Sequence, residues 1–260
     1  MYLCSYVILP CLTFYSFAFK IICCNSIFTI LLQYCFYVTT IFQIESITKE
    51  QIEEISVLTA AQSDSDYWVT QRKLRLTSSN FGKVVKSGNQ GRLAINLLNT
   101  KPFNSRATQH GKSYEGVAIK KYEAMMGTPV ERCGLAVCQD YPFLGASPDS
   151  LVGGDICVEI KCPYSVRSLN VTKENMPFLN EKGLKKSHDY YYQVQGQLLC
   201  TNRSICHFCI FTFADFRVFE IERDDDFIAD MVDKLKAFYV NHFKPALLEK
   251  HVYRHYSRYF

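Results

Sequence analysis

Charge is what the opening of this sequence lacks. Residues 1–44 carry one charged side chain, Lys20, although the 260-residue chain holds 29 Lys and Arg and 25 Asp and Glu. No basic group precedes the apolar run over 2–19, so a cleaved secretory signal fits this opening poorly. That run is broken by Pro10, and a second over 21–44 is diluted by Asn25, Gln33 and Gln43. Each is long enough to cross a bilayer, yet both are rich in aromatics and cysteine rather than Leu and Ala. Three readings stay open for residues 1–44: membrane spans, an extra layer of the fold, or a non-native extension ahead of the true start.

Regular cysteine spacing is also missing. The chain has 12 cysteines, but Cys4, Cys11, Cys23, Cys24 and Cys35 fall in the apolar opening, and the others form no framework pattern. A disulfide scaffold is excluded on that ground, and a reducing, intracellular compartment (nuclear or cytoplasmic) is expected. Cys206-His207-Phe208-Cys209 has no second ligand pair at zinc-finger distance, so it reads as a strand with small apolar sulfurs. Internal repeats and low-complexity linkers are absent from 45–260, which implies one domain over 45–250 and a basic, aromatic tail over 251–260 that is expected to fray. A net charge of +4 does not by itself announce nucleic acid. Basic groups do gather at Lys83/Lys86/Arg92, Lys101/Arg106/Lys112, Lys120/Lys121 and Lys182/Lys185/Lys186. They suit a DNA groove, although solvated helix faces account for any one cluster.

From residue 45 the pattern is globular. Thr48-Lys-Glu-Gln51 is a capping box that opens a helix through about residue 62, with Ile52, Ile55 and Leu58 on its apolar side. Asp64-Ser-Asp66 starts a second helix carrying Trp68 and Arg72. Thr77-Ser78-Ser79 caps a third through about 86, and 91–98 is a fourth. A longer helix over 108–126 stops at Gly127. Its Glu115 shares a face with Ala118, Ile119 and Tyr122, where a carboxylate is costly unless paired or metal-bound, or lies at the edge of the stripe. Strands follow at 134–139, 143–147 and 156–161, then a lysine-bearing loop over 170–187 and a helix over 189–200. Strands at 205–213 and 216–222 form a hairpin, and a helix over 225–243 closes the pattern. This order predicts an α/β or α+β fold with a mixed β-sheet flanked by helices.

The most informative stretch is 144–163. Ser147-Pro148-Asp149 stands ten residues before Glu159-Ile160-Lys161, with Gly153-Gly154-Asp155 as the turn between two apolar runs. One carboxylate from each strand can share a divalent metal, while the ammonium steadies the attacking water or the developing phosphate charge. Alternation puts Cys157, Glu159 and Lys161 on one face and Ile156, Val158 and Ile160 on the other, toward a core. By itself the motif also reads as an ordinary hairpin with solvated Asp, Glu and Lys.

The motifs together resemble a family. Residues 66–213 are similar to the phage lambda-type exonucleases, grouped with the YqaJ-like viral recombinases in the PD-(D/E)XK nuclease superfamily. The resemblance rests on Trp68-x3-Arg72-x4-Thr77-Ser78-Ser79, His110-Gly111-x3-Glu115, Ser147-Pro148-Asp149, Glu159-Ile160-Lys161-Cys162-Pro163 and Tyr191-Tyr192-Gln193-Val194-Gln195, in that order. It implies a restriction-endonuclease-like core and a duplex-DNA exonuclease that digests one strand from its 5′ end, with some members forming a ring trimer. It assigns Arg72 and a serine to the 5′-phosphate, an acidic role to Glu115, and a place at the site to Gln193.

In chemical terms Asp149 and Glu159 would hold Mg²⁺ (or Mn²⁺) with the Ile160 carbonyl, since hard oxygen donors suit that ion, and Glu115 would complete a first or second metal site. Arg72, Ser79 and Ser147 would contact phosphate oxygens. Partial desolvation would lower the pKa of Lys161, but electrostatic stabilisation is its expected role. Gln195 and Gln197 read as a solvated helix face. Two alternatives accompany the exonuclease reading: a structure-specific repair endonuclease of the same superfamily, or a non-catalytic, membrane-associated DNA-binding protein. Residues 1–44 are expected to be dispensable for catalysis.

Overall fold

The computed structural model describes residues 44–100 and 105–250, together with Thr39, Ile41 and Phe42. The chain divides into two compact units, residues 1–43 with 247–260, and residues 44–246. Most of the first unit, including nearly all of the two apolar runs and the tail 251–260, lies outside the described residues. Among the described residues no helix is long and apolar enough to cross a membrane. The second unit carries the elements that build the site.

Helix α1 (Lys49–Leu58) opens on the expected box, with Gln51 N–H donating to Thr48 Oγ1 at 3.3 Å and Thr48 N–H to Gln51 Oε1 at 2.9 Å. It ends at Leu58 rather than near 62. The Thr59 hydroxyl turns back to the Ile55 carbonyl at 2.5 Å, and Gln62 adopts a left-handed φ of 45°. Ile55 packs on Leu135 and Val137, but Leu58, expected on the apolar side, is 54% exposed. Only a narrow stripe of this helix meets the sheet. Helix α2 (Asp66–Lys73) is capped by Ser65.

Thr77-Ser78-Ser79 does not cap a helix directly. Leu76 and Thr77 form strand β1 (Leu76–Thr77), paired in parallel with Leu144 and Gly145. A 3-10 turn, Ser78–Asn80, then leads into α3 (Phe81–Lys86), and no side chain caps either. Helix α4 (Gln90–Asn99) follows, capped by Asn89. Helix α5 (Arg106–Met126) starts at a Ser105/Thr108 box and stops at Gly127, whose φ of 66° suits glycine.

Strands β2 (Ala136–Val137), β3 (Leu144–Ala146) and β1 form a three-stranded sheet with β3 central. The larger sheet orders β4 (Ser150–Val152), β5 (Ile156–Lys161), β8 (Ile205–Phe211) and β9 (Phe216–Glu222). β4–β5 and β8–β9 are antiparallel hairpins, whereas β5 and β8 run parallel, with Glu159 opposite Phe208. The parallel pair requires a crossover. A short hairpin, β6 (Leu179–Asn180) with β7 (Gly183–Leu184), and helix α6 (Asp189–Thr201) supply it. Helix α7 (Asp225–Phe238) and a π turn, Tyr239–Phe243, complete the unit.

The central strands are covered on both faces. Cys157, Phe208 and Ile210 pack on Tyr191, Val194 and Leu198 of α6, while Val158, Ile160, Cys209 and Phe211 pack on Ala118 and Tyr122 of α5. Cys206 and Cys209 therefore lie in two separate apolar clusters. Helix α6 also approaches the turn before α3 closely. A Cβ on Gly196 would stand 2.6 Å from two ring carbons of Phe81.

One polar bond ties α5 to the sheet. The Tyr122 hydroxyl lies 2.6 Å from Nδ1 of His207, whose Nε2 is 3.7 Å from Glu220 Oε2. With Nε2–H turned toward the carboxylate, Nδ1 accepts from Tyr122. Burial lowers the His207 pKa below its ordinary 6.5, the nearby Glu220 opposing. A histidine with a lowered folded pKa contributes stability that is present above the ordinary value and is lost as pH falls through the folded value. Tyr122→Phe should cost about 1–3 kcal/mol by orphaning a buried nitrogen, read by denaturant melts at pH 7.5. Unchanged stability would show that the bond contributes nothing.

Candidate active site

The site is assembled at the β4–β5 hairpin and closed from above by α6. Gln62, held in its left-handed turn, donates its amide to the carbonyls of Cys133 and Pro148, both at 2.8 Å. That pins the chain just before Asp149. The Asp149 amide then donates to the Val158 carbonyl at 3.0 Å, and its carboxylate Oδ2 accepts the Ile160 N–H at 2.6 Å. Asp149 is thereby fixed against the strand that carries Glu159 and Lys161.

Glu159 is 3% exposed, on the face that α6 covers. Burying a carboxylate is unfavourable unless its oxygens are bonded. Lys161 Nζ pairs with Glu159 Oε1, Gln193 Nε2 donates to the same oxygen at 2.7 Å, and Gln197 Nε2 donates to Oε2 at 2.5 Å. Lys161 also donates to Gln193 Oε1 at 3.2 Å, closing a ring of three side chains. Its ammonium sits 4.6 Å from the Tyr190 ring centroid.

Gln197 is the residue that sequence reasoning missed. Gln195 and Gln197 are both fully buried, not solvated. Gln195 faces away from the site, donating to the Glu222 carbonyl and accepting from the Asp224 amide, each at 2.9 Å. Gln197 lies one turn after Gln193 on the same helix face, and that i, i+4 spacing was the available signal.

The charges share one field. Burial, then repulsion from Glu159 and Glu115, holds the Asp149 carboxyl well above its ordinary range, Lys161 opposing. Burial and Glu159 likewise raise Glu115 on α5, with Lys161 and Lys112 opposing. For Lys161, burial disfavours the charge, but Glu159, Tyr190 and Asp149 outweigh it and raise the ammonium above the ordinary lysine range. The expected lowering is thus reversed, because the neighbouring carboxylate overcomes desolvation. The raised pKa keeps Lys161 a cation at neutral pH, a state suited to stabilising negative charge.

Three carboxyls share this field with the Lys161 ammonium and the Arg72 guanidinium, and the raised Asp149 and Glu115 mark negative charges that a divalent cation would stabilise. Among the described residues no three His, Cys, Asp or Glu side chains close on one point as a metal cage. An ion such as Mg²⁺ does not require one, since it keeps several waters and takes one or two carboxylates plus phosphate oxygens. Asp149 and Glu159 supply the hard carboxylate oxygens that such an ion takes.

The arginine side of the site is built by α2 and β3. Ser147 Oγ accepts from Trp68 Nε1 at 3.0 Å and from Arg72 at 3.2 Å, and the guanidinium lies 4.3 Å from the indole centroid. Burial lowers the Arg72 pKa to about 10, with Glu159 opposing, so it stays charged at neutral pH. Ser79 is exposed, its hydroxyl 3.4 Å from Thr77 Oγ1, and no bond among the described residues joins it to Arg72 or Ser147. The structure therefore brings Asp149, Glu159, Lys161 and Gln193 together and links Arg72 to Ser147, but leaves Ser79 outside both groups.

This fold, with acidic residues and a lysine on a hairpin under a glutamine-bearing helix, defines a nuclease-type domain. The chain belongs to the family of the YqaJ-like viral recombinase domain, whose model matches residues 67–204. Among solved structures it is similar to an alkaline exonuclease (LHK-Exo) from Laribacter hongkongensis, at 26% identity and a TM-score of 0.60, over 75% of this chain and 100% of that one. A structure of LHK-Exo in complex with dAMP matches at 25% identity and a TM-score of 0.58, covering 73% of this chain and 97% of that one. No curated protein sequence matches the chain significantly.

Proposed function

We propose that this chain is a divalent-metal-dependent deoxyribonuclease that shortens linear duplex DNA from its 5′ ends, in recombination or repair, and that residues 45–250 suffice for the chemistry. The observation that carries the reading is the buried Glu159 carboxylate, bound by Lys161, Gln193 and Gln197 beside a repelled Asp149. Likeness to an alkaline exonuclease, and to its complex with dAMP, supports a DNA substrate.

Held by Asp149, Glu159 and the Ile160 carbonyl, Mg²⁺ or Mn²⁺ would polarise the scissile phosphate and acidify the attacking water. The chain's own groups do the remaining work. The Ile160 amide fixes the Asp149 carboxylate, so the acidic pair needs no rearrangement as charge develops. Lys161, locked by Glu159 and Gln193, presents a permanent positive charge to the phosphate oxygens. Arg72, pre-oriented on Trp68, offers a two-pronged grip on the terminal 5′-phosphate, with Ser147 and Ser79 as hydroxyl contacts.

Three substrates test this: a linear duplex with 5′-phosphates, the same duplex with 5′-hydroxyls, and a closed circle. The phosphorylated duplex should be consumed about ten-fold faster or more, and the circle left intact. Arg72→Ala should narrow the gap, since charge-assisted contacts are worth about 1.5–3 kcal/mol each. Cutting of the circle would favour a structure-specific endonuclease, and attack from 3′ ends would overturn the polarity.

A further inference from the structure

At the edge where β5 and β8 end, beside the carboxylates, lies a group of rings that the proposed chemistry does not use. Ile210 is the register partner of Lys161, so Phe211 and the segment that follows emerge next to the catalytic strand. Helix α5 contributes Tyr114, which precedes Glu115, and His110 one turn earlier. The chain leaving β5 contributes Tyr164.

His110 stands 4.6 Å from Tyr114 and 5.6 Å from both Tyr164 and Phe213, centroid to centroid. Tyr114 meets Phe213 edge to face at 5.0 Å and 68°. The Phe213 amide donates to the Arg167 carbonyl at 2.7 Å, which fixes its backbone. The Arg167 guanidinium in turn covers Tyr164 at 4.4 Å. Despite this support, Phe213 is 53% exposed, and His110, 9% exposed, has no hydrogen-bond partner for Nε2 among the described residues. A ring held by its backbone yet half exposed, a guanidinium over the neighbouring Tyr164 and a buried unpaired ring nitrogen together call for a planar, polar-edged ligand next to a phosphate.

We propose that Phe213, supported by Tyr114 and flanked by Arg167 and His110, is a stacking subsite for a nucleobase of the strand being cut. This rests on DNA being the substrate. A base offers a π-face to Phe213, an edge to His110, and a neighbouring phosphate to Arg167. Because every base has a π-face, the subsite tolerates any sequence.

The test uses the full chain in EDTA, so that no strand is cut, and 5′-phosphorylated single strands carrying 2-aminopurine at each of the first four positions. One position should show quenched fluorescence on binding. Phe213→Ala should remove that quenching and weaken binding at least about five-fold, in line with the loss of one stacked base, and Phe213→Tyr should restore both. An abasic site at the same position should weaken binding to wild type by a similar factor and leave binding to Phe213→Ala unchanged. No quenching at any position, or equal affinities for wild type and Phe213→Ala, would overturn the proposal. Glu159→Gln separates the two readings, because it should lose hydrolysis and keep the quenching. Quenching by a wild-type protein that hydrolyses no DNA would sink the nuclease reading alone, and hydrolysis without quenching would sink the subsite alone.

Discussion

Replacing Asp149 by asparagine should abolish phosphodiester hydrolysis and raise the melting temperature of the metal-free protein. Both effects have one cause. The Asp149 carboxyl is half-buried beside Glu159 and Glu115, and it is held well above its ordinary 3.8 by desolvation and by those two charges. A carboxylate with a raised folded pKa gives stability that is fully present below the ordinary value and is lost as pH rises through the folded value. At neutral pH without metal, keeping this carboxyl in its place therefore works against the fold. Asparagine removes that carboxyl and keeps an oxygen for the Ile160 amide. The gain should appear as a higher melting temperature, where each kcal/mol corresponds to roughly 2–4 °C for a domain of this size. The same change removes a metal-holding oxyanion, so the rate should fall at least about 10²–10³-fold. Melts in EDTA at pH 5 and pH 8, with rates in Mg²⁺, decide it. The variant's advantage over wild type should be larger at pH 8 than at pH 5, a comparison in which the histidine contributions cancel. A variant that melts lower than wild type at pH 8 would mean that Asp149 is paired, not repelled.

The second large effect belongs to packing. Gly196→Ala should destabilise the fold and slow the chemistry by more than the stability loss explains. Alanine ordinarily strengthens a helix by about 1 kcal/mol relative to glycine. Here the added methyl would fall 2.6 Å from two carbons of the fully buried Phe81 ring and 3.0 Å from the Ser78 side chain. Such overpacking costs about 1–3 kcal/mol, and the ring has no open side to swing into. If α6 backs away instead, it carries Gln193 and Gln197 off Glu159 and loosens the clamp. Denaturant melts and turnover numbers at a temperature where both proteins are folded separate the two losses. Phe81→Leu in the same chain should recover part of each, since it removes the ring that the methyl strikes. A Gly196→Ala protein more stable than wild type would show that the close approach is not a constraint.

These effects also mark where the sequence was legible. The Asp149 and Glu159-x-Lys161 pair could be read directly because the Gly153-Gly154-Asp155 turn and the strand alternation are local, and the hairpin they imply is the one found. The long helix ending at Gly127 and the β8–β9 hairpin were legible for the same reason. What failed was knowledge of what lies across a face. Gln197 looks solvated until Glu159 is known to sit beneath it, and that depends on a parallel β5–β8 pairing distant in sequence. The direction of the Lys161 shift is hidden for the same reason: burial alone argues down, and only the neighbouring charges argue up. Thr77 was read as a cap because Thr and Ser favour that position, yet pairing with Gly145 on β3 overrode the local preference.

The central claim is that a metal-dependent hydrolytic centre is organised around Glu159. The most direct measurement is nucleotide release from a 5′-phosphorylated linear duplex by wild type and Glu159→Gln, each titrated with Mg²⁺ and then with excess EDTA. Release by wild type should rise with Mg²⁺ and stop in EDTA, and the folded variant should release nothing at any Mg²⁺ concentration. Release that persists in EDTA, or that survives Glu159→Gln, would contradict that claim.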